Sequence, residues 1–325
     1  MRLRPPALAL LVLAPLASVP AHAGAILDRI KATNTLKCGA EERPGLFGIG
    51  QNGRGHGMLL EICRAVALAV LPPDGKIEFH AYESEKSFDL VRKNEDDLYF
   101  LSYGEIQENE LADRLALGPT VFNMAVTVMV PDTTPIKTLA DLKDQSICYA
   151  ESGNGERALD AWFAARKIDF QRRGFREDVE LRDSYKVQYC LGLAGEATEL
   201  AKVRLEPKVK PFESRILSEP LAIFPIMATT PVSDGEWTAA VSYVLHTLVV
   251  AELPKTDYFA GLGAFKAPEK ALGLRENWQK SIVETVGSYD KIYRRNLGED
   301  SPMKLPRGPN AQVRDGGLLM APWVD

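Results

Sequence analysis

The chain is expected to be an α/β protein of two lobes, one lobe inserted into the other, because strand-like and helical patterns alternate and the chain crosses between halves twice. Thr35–Cys38, Ile77–Ala81, Ala125–Val130, Ser146–Ala150 and Leu221–Met227 have the pattern of strands. Leu59–Val70, Glu85–Lys93, Gly155–Lys167, Ala194–Leu205, Glu236–Leu253 and Asn277–Leu297 have helical periodicity. The first crossing is Val130–Pro135, with Pro131 and Pro135, before a short helical run Thr138–Leu142; the second is Ile216–Ile226, with Pro220 and Pro225. The first lobe is then about 24–130 plus 225–325, and the second about 131–224. Such a clamshell closes on a ligand held between its lobes.

The first 23 residues have the pattern of an export leader. Arg2 and Arg4 precede the apolar stretch Ala7–Ala17, and Ala21-His22-Ala23 gives a small-x-small cleavage pattern, so the mature chain is expected to start at Gly24. Cleavage removes two arginines, taking the net charge from -5 to -7 and leaving 302 of the 325 residues. No cysteine follows the cleavage site to carry a lipid. Trp237–Val250 is apolar but too short to span a bilayer, and Ser242 and His246 interrupt it. A mildly acidic surface argues against nucleic-acid binding, which needs clustered Lys and Arg.

The four cysteines are Cys38, Cys63, Cys148 and Cys190, and an even number in an exported chain points to disulfides. Three pairings are possible. Local order favours Cys38–Cys63 and Cys148–Cys190, each closing a loop of a few tens of residues and adding about 3–4 kcal/mol. There is no C-x-x-C pair, and the mature chain has only His56, His80 and His246, so a zinc site of the usual kind is not expected.

At the C-terminus a more specific pattern appears. It runs from Val286-Gly287-Ser288-Tyr289 through Ile292, Arg295-Asn296, Gly298 and Ser301-Pro302 to Lys304, Arg307-Gly308, Asn310-Ala311, Gly316-Gly317-Leu318 and Ala321-Pro322. This string resembles the tail of the general L-amino-acid ABC-transporter solute-binding proteins, within the family 3 extracellular solute-binding proteins. Leu36-Lys37-Cys38-Gly39, Cys63-Arg64-Ala65-Val66-Ala67 and Ile147-Cys148 agree with it, and the family's paired cysteines match the two bridges above. The resemblance implies a periplasmic binding protein type II-like fold with a two-segment hinge. It also implies a periplasmic location, an amino-acid or amine ligand, an ABC permease in the inner membrane as partner, a monomer and no cofactor.

The resemblance weakens where the family holds its ligand. An arginine there grips the α-carboxylate in two hydrogen bonds, helped by backbone N–H groups at a helix N-terminus, and an acid takes the ammonium. The matching turn here is Leu101-Ser102-Tyr103-Gly104-Glu105-Ile106-Gln107-Glu108-Asn109, and Asn109 stands where the arginine is expected. Charge-assisted hydrogen bonds contribute about 1.5–3 kcal/mol each, so the loss of two weakens binding by about two to four orders of magnitude. The glycine-rich turn after Cys148 becomes Glu151-Ser152-Gly153-Asn154-Gly155-Glu156, in which two acids oppose an anion. It is either a ligand turn or an ordinary helix entry. The family's aspartate aligns with Glu196, which could take an ammonium or sit solvated on a helix; Leu59 and Glu61 replace an acidic pair. The candidate ligand residues are therefore Tyr103, Glu105, Asn109, Ser152, Gly153, Asn154 and Glu196.

Two functions fit these residues: a solute-binding protein for amino acids or related amines, or a homologue that lost its solute and serves as an accessory that binds protein partners. An enzyme is the third class. No histidine has a triad-like context, Gly53-Arg54-Gly55-His56-Gly57 is no phosphate loop, and Asp96-Asp97 and Glu108/Glu110 have the appearance of solvated turns. No catalytic residue is expected.

Overall fold

The computed structural model describes residues 24–50, 53–82, 88–206, 212–253 and 269–320, and the expected leader lies outside them. The first half holds α1 (Ala25–Thr33), β1 (Thr35–Glu41), the short pair β2 (Gly48–Ile49) and β3 (Gly55–His56), and α2 (Met58–Val70). It continues with β4 (Lys76–Tyr82), α3 (Phe88–Arg92), β5 (Leu98–Ser102), α4 (Tyr103–Glu108) and the long β6 (Leu115–Pro131). A 3-10 turn, Leu139–Leu142, leads into β7 (Ser146–Ala150), α5 (Asn154–Arg166), β8 (Gln171–Phe175), α6 (Asp178–Lys186), β9 (Gly192–Glu196) and α7 (Ala197–Leu205). The chain returns through β10 (Ser214–Ile216) and β11 (Ala222–Pro231), and ends with α8 (Gly235–Val250), α9 (Trp278–Thr285) and α10 (Tyr289–Asn296).

The main sheet runs β4-β1-β5-β11-β6-β9-β7-β8, with β10 beside β6. Its two flanks, β4-β1-β5 and β9-β7-β8, are parallel, as crossover helices require. Between them, β6 and β11 run antiparallel to each other and to their neighbours on either side. These two strands join the two parallel flanks into one sheet. Arg215 ties the crossings together, donating to the carbonyls of Pro131 at 3.1 Å and Thr134 at 2.8 Å.

Each flank has apolar side chains packed on both faces of its sheet. In the first lobe α2, α8, α9 and α10 cover one face around Trp237 and Trp278, while Val91, Ile106 and Leu111 cover the other with Tyr82 and Tyr99. In the second lobe Trp162 and Phe163 of α5 pack on one face, and Leu181 and Tyr185 of α6 on the other. Both faces of a parallel sheet must be covered, which is why Ser146–Ala150 is almost uniformly apolar. The two-lobed α/β class expected from the sequence is present.

Both cysteine pairs are bonded as the local order suggested. Cys38 of β1 joins Cys63 of α2, with Cα atoms 6.5 Å apart, and Cys148 of β7 joins Cys190, with Cα atoms 5.8 Å apart. Each staple ties a central strand to a neighbouring segment in its own lobe.

Three expectations are corrected. Gly192–Glu196 is a strand rather than the start of a helix, because it completes the ladder between β6 and β7. The long helix expected over Asn277–Leu297 is two helices, broken at Gly287, whose φ of 97° no helix tolerates; Ser288 then caps α10 through its hydroxyl. Asp96 and Asp97 are not a solvated turn but are fully buried. Asp96 accepts from Tyr82 Oη at 2.5 Å and bonds His80 Nδ1 at 2.5 Å. Asp97 accepts from the backbone N–H of Lys37 at 2.9 Å and pairs with Arg29.

Candidate ligand-binding cleft

In an open α/β sheet, ligands sit beyond the carboxyl ends of the parallel strands, where loops and helix starts converge. Here β1 ends at Glu41, β5 at Ser102, β7 at Ala150 and β9 at Glu196, so both flanks aim their carboxyl ends at the gap between the lobes. A cleft of about 480 Å³ lies there, within the usual range for small-molecule sites. Glu41, Arg43, Ser102, Gly104, Glu105 and Glu108 line it from the first lobe, and Asn154, Arg157 and Glu196 from the second. Met124, Phe224 and Ile226 of the two crossing strands form an apolar floor.

At the centre is Arg43, a residue the sequence reading did not single out. Its guanidinium lies 2.6 Å from Glu41, 3.5 Å from Glu196 and 3.7 Å from Glu105, with only 14% of the side chain exposed. The backbone holds it in place. Arg43 and Phe47 close a tight turn by reciprocal N–H to carbonyl bonds of 3.0 Å, and the Phe47 ring is buried against Phe79 with centroids 4.1 Å apart. Gly45 in that turn has φ 72°, a left-handed conformation that suits glycine.

Three carboxylates thus face one guanidinium. Burial in the cleft pushes the Glu41 carboxyl up to about 7; the neighbouring Glu105 and Glu196 act in the same direction, and Arg43 opposes them. Glu105 divides its two oxygens. Oε2 accepts from the backbone N–H of Ser102 at 2.6 Å, and Ser102 Oγ accepts from the N–H of Glu105 at 3.2 Å, so the pair boxes the start of α4. Its Oε1 faces Arg43 with no hydrogen bond of its own. Glu196, the last residue of β9, accepts from Asn154 Nδ2 at 3.0 Å, which fixes both second-lobe residues.

Two ion pairs span the cleft in opposite senses. Arg43 of the first lobe meets Glu196 of the second, while Arg157 of the second meets Glu108 of the first at 3.8 Å on the exposed rim.

The structure gathers some of the expected ligand residues and leaves others aside. Glu105, Asn154 and Glu196 line the cleft. Gly153 is the N-cap of α5 and borders a smaller hollow of about 190 Å³ against α6 and α7. Tyr103, Asn109 and Ser152 are not among the side chains lining the cleft. Asn109 is the C-cap of α4, and its Nδ2 donates to the Glu105 carbonyl at 2.9 Å, so it closes its own helix. Ser152 has φ 62°, and its N–H donates at 2.7 Å to Glu156, so the chain's own carboxylate occupies that turn. Glu61 lies away from the cleft, bonded to Asn296 at 2.6 Å and paired with Arg295. Glu41 and Arg43 were missed because the expected first strand stopped at Cys38. Extending it to Glu41 puts both at a strand's carboxyl end, which is the signal that would have found them.

No family model matches the chain. Curated relatives do match along most of its length. YhdW of Escherichia coli O157:H7, named as an amino-acid ABC transporter-binding protein, is 25% identical over 320 residues, 94% of each chain. The general L-amino acid-binding periplasmic protein AapJ of Rhizobium johnstonii is 25% identical over 317 residues, 92% of each chain. The glutamate/glutamine/aspartate/asparagine-binding protein BztA of Rhodobacter capsulatus is 26% identical, covering 93% of this chain and 94% of the relative. Among solved structures, a periplasmic binding protein of an ABC transporter from Brucella ovis, with glutathione bound, superposes with a TM-score of 0.71 at 24% identity; the match covers 91% of this chain and 98% of that one. A substrate-binding domain of an amino-acid ABC transporter from Streptococcus pneumoniae gives 0.56 at 10% identity, covering 81% of this chain and all of that one. By sequence over most of its length and by its two-lobed fold, the chain is a homologue of the amino-acid ABC transporter-binding proteins, with the type II periplasmic binding-protein architecture.

Proposed function

We propose that this protein is the solute-binding component of an ABC importer, capturing an amino acid or related amine between its lobes and delivering it to a permease in the inner membrane. The observation that carries this reading is the cleft itself: about 480 Å³, with an apolar floor and charged side chains supplied by both lobes. A ligand touching Glu41 and Glu105 on one side and Asn154 and Glu196 on the other favours the closed state, because its contacts with both lobes exist only there. The lobes are residues 24–130 with 225–325, and 131–224, and they turn about β6 and β11. Export by a leader cleaved after Ala23 places the mature monomer in the periplasm.

The ligand residues assigned are Glu41, Arg43, Glu105, Asn154 and Glu196. Tyr103 and Asn109 are assigned to the edge of the site, and the Ser152-Gly153 turn to fixing the start of α5. A cleft with charged groups on both walls, in a homologue of transport proteins, favours solute capture over the accessory role.

Thermal melts of the purified protein against a panel of amino acids and amines test the reading. A true ligand at about 100 times its Kd adds about 2.7 kcal/mol, which raises the melting temperature by several degrees. If no amino acid or amine raises it at millimolar concentration, the transport reading is wrong.

A further inference from the structure

We propose that the cleft is selective for a solute carrying positive charge, received by Glu41, Glu105 and Glu196, and that Arg43 serves as a built-in counter-ion that positions those carboxylates rather than as the grip for a ligand carboxylate. The inference deepens the solute-binding reading and rests on it.

The charges lining the cleft are unequal. Glu41, Glu105, Glu108 and Glu196 face Arg43 and Arg157. Arg157 is spent on Glu108 at the rim, where both side chains are more than half exposed. Inside, one guanidinium is shared by three carboxylates. Its contact with Glu41 is close, and its contacts with Glu105 and Glu196 are wider, at 3.7 and 3.5 Å. An incoming carboxylate would have to sit beside these acids, so like-charge repulsion opposes it. An incoming ammonium or guanidinium displaces no carboxylate, only the proton that Glu41 holds below its raised pKa. It finds Glu105 Oε1, buried without a hydrogen bond, with the Glu41 and Glu196 carboxyls beside it. The apolar floor of Met124, Phe224 and Ile226 suits a methylene chain between two polar ends.

A proton is linked to this exchange. The groups facing the Glu41 carboxyl are Arg43 on its own segment, Glu105 from α4 and Glu196 from β9, with Glu108 and Arg157 farther out at the rim. Burial and the other two acids raise its pKa to about 7 in the empty cleft. A bound cation favours the carboxylate form, so binding expels the proton from Glu41. Cation affinity therefore rises with pH, by about tenfold between pH 6 and pH 8, and flattens above the Glu41 pKa.

Calorimetric titration of the purified protein with L-lysine, 1,5-diaminopentane, L-glutamine and L-glutamate decides the matter. The expected result is L-lysine or the diamine at least tenfold tighter than L-glutamate, with the pH rise described. The diamine, which lacks the carboxylate, separates an amine site from a basic amino-acid site; in either case the cation is what is recognised. Glu41→Gln is expected to flatten the pH dependence and to weaken the cationic probes at pH 8 by tenfold or more. Glu196→Gln, on the other lobe, is expected to weaken them without removing the pH dependence, which guards against a misfolded first variant. L-glutamate or L-glutamine binding more tightly than both cationic probes overturns the inference but leaves the solute-binding reading standing. Binding by none of the probes, with no other panel compound raising the melting temperature, overturns both.

Discussion

Two groups of acids lie at opposite ends of the same strand pair, β1 and β5, and they are built in opposite ways. Ahead of β5, Asp96 and Asp97 are fully buried, yet every carboxylate oxygen has a partner: His80 and Tyr82 for one, Arg29 and the Lys37 N–H for the other. Beyond the carboxyl ends, Glu41, Glu105 and Glu196 are partly open to solvent and share one arginine, and one oxygen of Glu105 is unmatched. Buried polar groups that serve the fold are satisfied within it, whereas groups that serve a ligand keep capacity in reserve. The first group is built as a structural rivet; the second has the composition that the proposed ligand site requires.

The largest effect expected from this contrast is on the rivet. Asp96→Ala leaves the buried Tyr82 hydroxyl and His80 without their acceptor and should cost about 3–5 kcal/mol, seen as a lower denaturation midpoint at unchanged slope. In the cleft, Glu105→Gln should leave stability within about 1 kcal/mol while weakening the ligand. Next is Gly39, on β1 beside the rivet. A Cβ there would meet the Tyr82 hydroxyl at 2.0 Å and Asp96 at 2.7 Å, so Gly39→Ala should cost about 1–3 kcal/mol through overpacking.

A smaller effect concerns His80. Its hydrogen bond to Asp96 raises its pKa above the ordinary 6.5, so the bond's contribution is complete below about pH 6.5 and fades as pH rises through the folded-state value. The ring is about one-third exposed, which limits the contribution to under about 1 kcal/mol. Melts from pH 5.5 to 8.5 should show this decline, and His80→Gln should remove it. The smallest effect is at the cleft rim. Arg157→Gln breaks an exposed pair with Glu108 and should change affinity less than threefold.

The same contrast shows what could be seen in the sequence. Ser146–Ala150 and Met58–Val70 were clear because each is a sustained apolar run, and the cysteines paired because neighbouring elements pack together. β8 was invisible: it is an edge strand of sequence Gln-Arg-Arg-Gly-Phe, whose charges suit an edge and hide its pattern. β9, Gly-Leu-Ala-Gly-Glu, has no β-branched residue to mark a strand, and its last three residues merge into the helical pattern Ala194–Leu205. The rivet escaped because its partners come from far along the chain: Arg29 lies 68 residues from Asp97, and His80 lies 16 from Asp96. In the cleft, Glu105, Asn154 and Glu196 were found by likeness to family positions. Arg43 was not, since it comes from a different element from the one expected to carry the arginine. Asn109 caps its own helix, and Arg43 enters the cleft from the segment after β1.

One paired measurement tests the central claim, that cleft carboxylates serve the ligand and those before β5 serve the fold. Glu41→Gln and Asp96→Asn are each assayed for melting temperature and for affinity toward the tightest cationic probe. The account predicts that Glu41→Gln keeps its melting temperature within about 2 °C and loses at least tenfold in affinity, while Asp96→Asn melts well below the parent and binds normally when folded. A Glu41→Gln protein that is destabilised yet binds as tightly as the parent would contradict it.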